Sequence, residues 1–289
     1  MSEAASTSAR ASAADAVSPP VIRVEHVTRT LPAEVPVTLV QDVSREIERG
    51  EFVCVMGPSG SGKSSLLYLL GLLDVPTTGR IWIDGEDTTT FHDDRLTDFR
   101  LARLGSVFQF HFLLAEFSVL DNVALPMRKL GRLADDAARE RAGQLLDRLG
   151  LEGQHGKRPS QLSGGQRQRV AIARALAIEP DVLVMDEATS ALDVSVQAQV
   201  LSVVERIRRE RGLTVLFISH DLAVVRRLCD ETVVMKTGEI VERGRTAALL
   251  SAPQQPYTRL LIDSVPRPDW GLEAAPTEAP ALDHPVPQV

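Results

Sequence analysis

The chain has 289 residues, of which 44% are hydrophobic, and its 32 Lys and Arg against 39 Asp and Glu give a formal net charge of −7. These values are typical of an ordinary soluble globular protein, and the acidic balance argues against a general electrostatic grip on nucleic acid. The longest apolar stretch, 66–73, falls far short of the ~20 residues that cross a bilayer, so we do not expect this chain to span a membrane by itself. Of its two cysteines, Cys54 lies in an apolar strand-like run and Cys229 in a helix-like run, which indicates neither a disulfide framework nor a cysteine metal site and fits a reducing cytoplasm.

Both ends of the chain are predicted to be loose. Residues 1–20 are rich in Ala and Ser and lack a basic segment followed by an apolar one, so we interpret them as a disordered tail rather than a secretory signal. Prolines recur after Pro253 at a density that regular structure does not tolerate, which predicts a C-terminal extension, 246–289, with a disordered end.

Between residues 21 and 243, short β-like runs alternate with helical stretches. Such alternation predicts an α/β fold with a largely parallel sheet. The segment 94–151 is expected to be mostly helical, because Ala138, Ala142, Leu145 and Leu149 recur on one helical face. The apolar runs 182–185 and 214–219 are typical of strands that are buried on both faces.

The run Gly-Pro-Ser-Gly-Ser-Gly-Lys-Ser at 57–64 fits the phosphate-loop pattern G-x-x-x-x-G-K-[ST], between a predicted strand, 51–56, and a predicted helix, 64–73. Glycines let successive backbone N–H groups turn toward phosphate oxygens, and the N-terminus of the following helix favours an anion. The alternative is a glycine-rich turn with a chance lysine, which the strand and helix on either side disfavour. The expected phosphate contacts are Gly57, Pro58, Ser59, Gly60, Ser61, Gly62, Lys63, Ser64 and Ser65, with the Ser64 hydroxyl on Mg²⁺.

Asp186 and Glu187 directly follow the apolar run 182–185. At the carboxyl end of a buried strand, ligands of open α/β sheets bind. We expect Asp186 to hold Mg²⁺ through water and Glu187 to polarise the water that attacks a γ-phosphate. An isolated acidic pair would be a solvated loop, but the upstream phosphate loop favours the catalytic interpretation.

Ser163 and Gln166 form a capping-box pattern before an Ala-rich amphipathic stretch, 168–176, so Ser163 is predicted to begin a helix. Its hydroxyl, the amides of Gly164 and Gly165, and the helix dipole would together make a second anion site. Two interpretations stay open: a helix cap and nothing more, or a site that completes the first site of another chain.

Taken together, the segments 57–64, 162–166, 186–187, 190–193 and 219–221 resemble the complete motif set of the ATP-binding cassette (ABC) ATPases. The resemblance covers about 21–243. It implies a P-loop NTPase fold of mostly parallel sheet, with an antiparallel β subdomain and a helical subdomain at about 94–165, in a cassette of 21–245.

The resemblance also implies the roles of further residues. Two subunits, either identical or paralogous, would sandwich two ATP molecules, each between one chain's phosphate loop and the other's Ser163-Gly164-Gly165 segment. Gln109 would touch Mg²⁺ or the attacking water and sense the membrane partner, His220 would be the γ-phosphate switch, and Asp193 would couple the two sites. The implied catalytic residues are Glu187, His220, Gln109 and Lys63. The implied Mg²⁺ ligands are Ser64, Gln109 and Asp186. The implied ATP contacts also include Gln166 and Asp193.

Two positions depart from the family pattern. The family has an aromatic ring near position 30 that stacks on adenine, whereas 27–32 reads Val-Thr-Arg-Thr-Leu-Pro. Since base stacking contributes ~1–3 kcal/mol in other contexts, we predict weaker ATP binding and relaxed base preference, unless His26 or an aliphatic side chain substitutes. Ala188 stands where transporter members commonly have proline, but both acids are kept, so hydrolysis is expected to survive.

The two halves of the chain resemble different transporter groups. The segments 65–74, 108–114 and 121–127 are similar to the lipoprotein-releasing and macrolide-exporting group, whereas 190–199, 217–225 and 256–261 are similar to the dipeptide and oligopeptide importers. The leading hypothesis is an ATPase subunit of the first group on the cytoplasmic face of the membrane, driving separate transmembrane permease subunits. The alternative is a peptide importer, and a remote one is a non-transport ABC ATPase; no nucleic acid partner is expected. Residues that touch ATP do not encode the transported substrate or its direction.

Overall fold

The computed structural model describes residues 19–189 and 192–264. Its strands are β1 (Ile22–Leu31), β2 (Val37–Ile47), β3 (Phe52–Met56), β4 (Thr78–Ile83), β5 (Glu86–Asp87), β6 (Leu104–Val107), β7 (Val182–Asp186), β8 (Thr214–Ile218), β9 (Glu231–Lys236) and β10 (Glu239–Arg245). Its α-helices are α1 (Lys63–Leu70), α2 (Asp93–Arg103), α3 (Val119–Leu130), α4 (Asp135–Arg148), α5 (Gly164–Ala177), α6 (Val194–Arg211), α7 (Leu222–Leu228), α8 (Thr246–Ser251) and α9 (Pro256–Asp263).

The larger sheet has six strands in the order β10-β9-β3-β8-β7-β6. All neighbouring pairs from β9 to β6 are parallel, and β10 is antiparallel at one edge. Every residue of β3, β7 and β8 is buried, as expected of parallel strands covered on both faces. The predicted α/β fold is confirmed, and the carboxyl ends of β3, β7 and β8 meet at one edge of the sheet.

A second, four-stranded antiparallel sheet has the order β2-β1-β4-β5. Its buried face packs with the apolar side of α1 and one face of the larger sheet in a common core. Strand β2 also passes close to the segment that joins β3 to α1, since the carbonyl oxygen of Leu39 faces Gly62. It contacts the turn between β9 and β10 as well, where the Gln41 N–H donates to Gly238 O at 2.9 Å. The antiparallel sheet therefore supports the phosphate loop from outside.

Helices α3, α4 and α5 pack together around buried Val123, Ala142 and Leu146. The expectation of a mostly helical segment 94–151 needs one correction, because strand β6 lies within it and joins the edge of the larger sheet. Four residues are too few to show a periodicity. Gly105 allows the close approach, since a Cβ there would lie 2.6 Å from the carbonyl oxygen of Ala175.

The chain continues beyond the larger sheet into α8 and α9. Within the part of the chain that the structure describes, none of the helices has the length and apolar character needed to cross a membrane. Of the predicted N-terminal tail, 1–20, residues 1–18 lie outside the described residues, as do residues 265–289 of the predicted C-terminal extension, 246–289.

Candidate functional site

A cavity of about 680 Å³ opens at the carboxyl edge of the larger sheet. It gathers the phosphate loop from the end of β3, the acidic pair from the end of β7, and His220 from the end of β8. The sequence-predicted residues that line it are Gly57, Pro58, Ser59, Gly60, Gly62, Lys63, Ser64, Ser65, Gln109, Asp186, Glu187 and His220. A second cavity of about 730 Å³ lies between α6 and α7 but holds neither the phosphate loop nor the acidic pair, so we place the site in the first.

The phosphate loop depends on its glycines. Gly57, Gly60 and Gly62 have φ values of 150°, 76° and 96°, which side-chain-bearing residues rarely adopt. A Cβ at Gly57 would lie 2.5 Å from the carbonyl oxygen of Met235, and one at Gly62 would overlap the carbonyl oxygen of Leu39. The loop is therefore packed against backbone on its outer side, and its inner side faces the cavity. The predicted contact Ser61 is buried and does not line the cavity.

Lys63 begins α1 and is half-buried. Its ammonium donates a hydrogen bond to the carbonyl oxygen of Pro58 at 2.8 Å, so the side chain folds over its own loop. Burial lowers the pKa of Lys63, and the charges of Glu187 and Asp186 oppose that effect. This places a positive charge beside the loop, where a phosphate would compensate for its partial desolvation.

Asp186 ends β7 and is only 7% exposed. Burial raises the pKa of its carboxyl, while a hydrogen bond from Ser64 and the charge of Lys63 favour the ionised form. Carboxylate and hydroxyl oxygens are ligands that Mg²⁺ accepts, and the side chain of Gln109 lines the same cavity. The donor set of Asp186, Ser64 and Gln109 therefore fits Mg²⁺.

Glu187 has a positive φ of 48°, and its N–H donates to Ile218 O at 3.3 Å. This uncommon conformation turns the chain just after the buried strand, so that Glu187 lines the cavity together with Lys63 and His220. His220 is exposed between β8 and α7, and the next residue, Asp221, caps α7 by accepting from Ala223 N at 2.9 Å. The end of β7 thus positions Glu187, and the cap of α7 positions His220.

The Ser163 segment lies elsewhere. Ser163 begins α5 with the predicted capping box: its hydroxyl accepts from Gln166 N at 3.2 Å and its N–H donates to the Gln166 side chain at 2.9 Å. Neither these residues nor Gly164 and Gly165 line the cavity. Asp193 is also outside it and caps α6 by accepting from Val196 N at 2.9 Å. Within one chain, the two predicted anion sites are not brought together.

Sequence reasoning missed several residues around the cavity. The ring of Phe108 makes edge-to-face contacts with Tyr68 and with Phe112, in both cases with ring centroids 5.8 Å apart. Leu261 of α9 lines the same cavity. The buried Gln168 side chain donates to the carbonyl oxygens of Phe108, at 3.2 Å, and Ala188, at 2.5 Å. The alternating rings at 108, 110 and 112 are the one local signal that could have indicated this wall.

Residues 27–32 include no aromatic residue and do not line the cavity. The Thr30 hydroxyl is 3.2 Å from that of Thr38, and the His26 ring hydrogen-bonds Asp42 at 2.8 Å. The exposed apolar side chains of this hairpin are Leu31, 38% exposed, its cross-strand partner Val37, 51% exposed, and Val35 between the strands, 77% exposed. Weaker ATP binding stays a prediction from the missing ring.

Comparison with known proteins adds independent findings. The family described as "ABC transporter" matches residues 40–190, and "Oligopeptide/dipeptide transporter, C-terminal region" matches 241–286. The chain is 43% identical over 243 residues to the methionine import ATP-binding protein MetN 1 of Pseudomonas putida, covering 84% of this chain and 70% of the relative. It is 46% identical over 190 residues to the lipoprotein-releasing system ATP-binding protein LolD 1 of Chlorobium chlorochromatii, covering 66% and 77%.

Solved structures agree with the fold. A dimeric post-hydrolysis state of the ATP-binding cassette MJ0796 bound to ADP and Pi aligns with a TM-score of 0.75 and 37% identity, over 78% of this chain and 98% of that one. CbiO1 of Clostridium perfringens, part of the ABC transporter complex cbiONQ, aligns with a TM-score of 0.71 and 28% identity, over 81% and 92%. Most of the phosphate loop, the acidic pair and His220 line one cavity in the fold that these cassettes share. The chain therefore belongs to the ABC transporter family, as an ATP-binding cassette ATPase subunit that powers a transmembrane permease.

Proposed function

We propose that this ATPase powers an importer of short peptides, the alternative that the sequence left open beside lipoprotein release or efflux. The observation that carries the proposal is the match of 241–286 to the C-terminal region of oligopeptide and dipeptide transporters. In the described residues that region starts in β10 and includes α8 and α9, which pack on the cassette core through Leu249, Tyr257 and Ile262. Its described part, 241–264, is thus built into this fold.

The similarity to methionine import proteins over most of this chain further supports import. That relative is named for the import of an amino acid, and the family that matches 241–286 is named for oligopeptide and dipeptide transport. A cassette contacts only ATP and its permease, so other subunits would select the solute.

We infer the following roles within the ATP site. Lys63 and the inward N–H groups of the phosphate loop bind the β- and γ-phosphates, because both present positive charge at the start of α1. Asp186, Ser64 and Gln109 would hold Mg²⁺, which when bound would neutralise part of the phosphate charge.

The hydrolytic step is assigned to the end of β7. Glu187 orients and polarises the attacking water, since it follows the metal-binding Asp186 and lines the same cavity. His220, at the neighbouring strand end, donates toward the γ-phosphate. The Ser163-Gly164-Gly165 segment, with Ser163 exposed and both glycines half-buried, would complete the cavity of a second cassette, either identical or paralogous, with Asp193 beside it.

A second candidate is lipoprotein release or efflux. It is favoured by the identity of 46% to a LolD protein and by the segments 65–74, 108–114 and 121–127, which include exposed Phe110 and Phe112. These residues follow Gln109, where the family docks its permease.

The test is identification of the membrane partner. The chain would be tagged in its native host and carry Glu187→Gln to hold the ATP-bound dimer. Membranes would be solubilised gently with ATP, and the co-purifying proteins identified by mass spectrometry. A Lys63→Ala chain with the same tag is the matched control, because it should not form the ATP-bound dimer.

A pair of multi-span permeases with a solute-binding protein, enriched over the control, is the result expected for an importer. A permease with few spans and a large external domain would instead establish the release or efflux function. Recovery of ribosomal or DNA-repair proteins would overturn the transport assignment of both candidates.

A further inference from the structure

The ATP cavity has one wall that comes from the far end of the chain. Leu261, on α9, lines it together with the phosphate loop and His220. Leu261 is partly buried and packs against the main core, whereas its neighbour Leu260 points outward and is 66% exposed. An apolar side chain from the C-terminal region therefore takes part in a cavity that is otherwise built by the cassette motifs.

Helix α9 is anchored to the strand beside the phosphate loop. The Glu242 carboxylate of β10 accepts hydrogen bonds from Gln254 N at 2.7 Å and Gln255 N at 3.0 Å, just before the helix begins. Thr258, in the first turn, is fully buried. Because a carboxylate near a helix N-terminus is favourable, this contact fixes where α9 starts.

A second contact fixes the direction of α9. The Lys236 ammonium lies 4.7 Å from the ring centroid of Tyr257, and Lys236 ends β9, next to Met235, whose carbonyl faces Gly57. Tyr257 and Leu261 are four residues apart, so they lie on one face of the helix. With Tyr257 over the end of β9, Leu261 falls one turn further along, at the ends of β3 and β8.

The hairpin of β9 and β10, which holds α9, also contacts the phosphate loop. Between β9 and β10, the Gly238 N–H donates to Ser61 O at 3.0 Å. One hairpin thus contacts the loop through Gly238 and holds α9 through Glu242. A displacement of α9 is resisted by the same backbone that shapes the phosphate site.

We propose that α9 is a wall of the nucleotide site, that Leu261 contacts the bound nucleotide, and that this helix thereby tunes ATP affinity. The proposal rests on the nucleotide cavity assigned above. Leu261 would exclude water beside the phosphate loop, and charge interactions with Lys63 are stronger where water is excluded. Loss of its side chain should weaken nucleotide binding without removing any charged ligand.

The experiment measures the Kd of the nonhydrolysable β,γ-imido analogue of ATP by titration calorimetry on the full chain. Leu261→Ala is expected to raise the Kd about 3- to 10-fold, as one partly buried aliphatic contact would. Leu261→Asp should raise it further, since a carboxylate would then face the phosphates. Leu260→Ala is the matched control on the same helix and should leave the Kd unchanged.

Lys63→Ala separates failure of this proposal from failure of the site. Strong loss of binding in Lys63→Ala with wild-type Kd values in both Leu261 variants would overturn the role of α9 and keep the nucleotide site. Unchanged binding in Lys63→Ala would overturn the site itself, and the wall with it.

A second measurement uses the unsubstituted chain and covers the case in which Leu261 variants fail to fold. Hydrogen exchange reports the local opening of backbone hydrogen bonds, so a nucleotide that contacts α9 should slow exchange of its amides at the concentration that fills the site. Unchanged exchange in α9 at saturating ATP analogue, with slowed exchange in the phosphate loop, would overturn the proposal.

Discussion

The phosphate loop and the Ser163 segment are both predicted anion sites, yet they are built in opposite ways. The loop has three glycines with positive φ, a lysine and two carboxylates around one cavity. The Ser163 segment is a capped helix start whose glycines have ordinary φ, and a Cβ at Gly164 would meet nothing nearer than Arg167 Nη2 at 4.0 Å.

The difference teaches which half of the chemistry one chain supplies. The loop is packed against the backbone of β2 and β9 and needs no other protein to hold its shape. The Ser163 segment offers N–H groups and a hydroxyl without a cavity of its own, which indicates that its ligand arrives with another surface. We propose that this surface belongs to a second cassette; the solved cassette MJ0796 is itself dimeric.

The largest effect should come from the acid at the first site. Glu187→Gln keeps size and position but cannot take up the proton of the attacking water, so we expect ATP turnover to fall about 10²- to 10⁴-fold. Binding of ATP should persist, because Lys63 and the loop are untouched. Phosphate release and ATP binding measured on the same preparation test this, and wild-type turnover would remove Glu187 from the mechanism.

Substitution of a glycine should lower the stability of the chain more at the phosphate loop than at the Ser163 segment. Gly62→Ala combines a positive φ, costing about 1–2 kcal/mol, with overlap on Leu39, costing about 1–3 kcal/mol. Gly60→Ala shares the positive φ but has nothing within 4 Å, so only the first cost applies. Gly164→Ala should stay within about 0.5 kcal/mol of wild type. Urea unfolding of the three variants should give that order; equal stabilities would contradict the packing of the loop.

The buried carboxylate of the first site should lower stability in a pH-dependent way. Burial raises the pKa of Asp186 above its ordinary 3.8, so the folded chain binds this proton more tightly than the unfolded chain does. The resulting loss of stability is complete above the folded pKa and disappears below 3.8. We therefore expect Asp186→Asn to be more stable at neutral pH and to lose that advantage as the pH falls.

Thermal unfolding across this pH range measures the effect, at about 2–4 °C per kcal/mol for a domain of this size. Asp98→Asn, an exposed position on α2, is the control and should show no such trend. An advantage of Asp186→Asn that grew toward low pH would have the wrong sign for a buried carboxylate.

The smallest expected change is at the second site. Ser163→Ala removes the cap of α5 and should cost about 1 kcal/mol, while binding of ATP to the single chain stays unchanged. Ser118→Ala is a matched control, because Ser118 caps α3 by accepting from Asp121 N at 3.0 Å. Both variants should lose similar stability, but only Ser163→Ala should lower the turnover of dimers. Equal turnover of Ser163→Ala and Ser118→Ala dimers would mean that Ser163 only caps α5 and takes no part in ATP hydrolysis.

Features that local chemistry dictates could be predicted from the sequence. The phosphate loop, the strand before Asp186 and the cap at Ser163 each follow from a few adjacent residues, and the structure has all three. Strand β6 was missed because its four residues owe their place to the small Gly105 under α5. Leu261 and Gln168 were missed because their positions depend on contacts between segments far apart in the chain, which no short pattern encodes.

Gln168 gives α5 a mechanical role that its sequence pattern does not express. Its single amide group holds both Phe108, next to Gln109, and Ala188, next to Glu187, on the helix that begins at Ser163. A shift of α5 must therefore carry the two loops with it or break these hydrogen bonds, at about 0.5–1.5 kcal/mol each. If α5 presents Ser163 to another cassette, as proposed above, a displacement at that surface would reach the loops of Gln109 and Glu187 through one side chain.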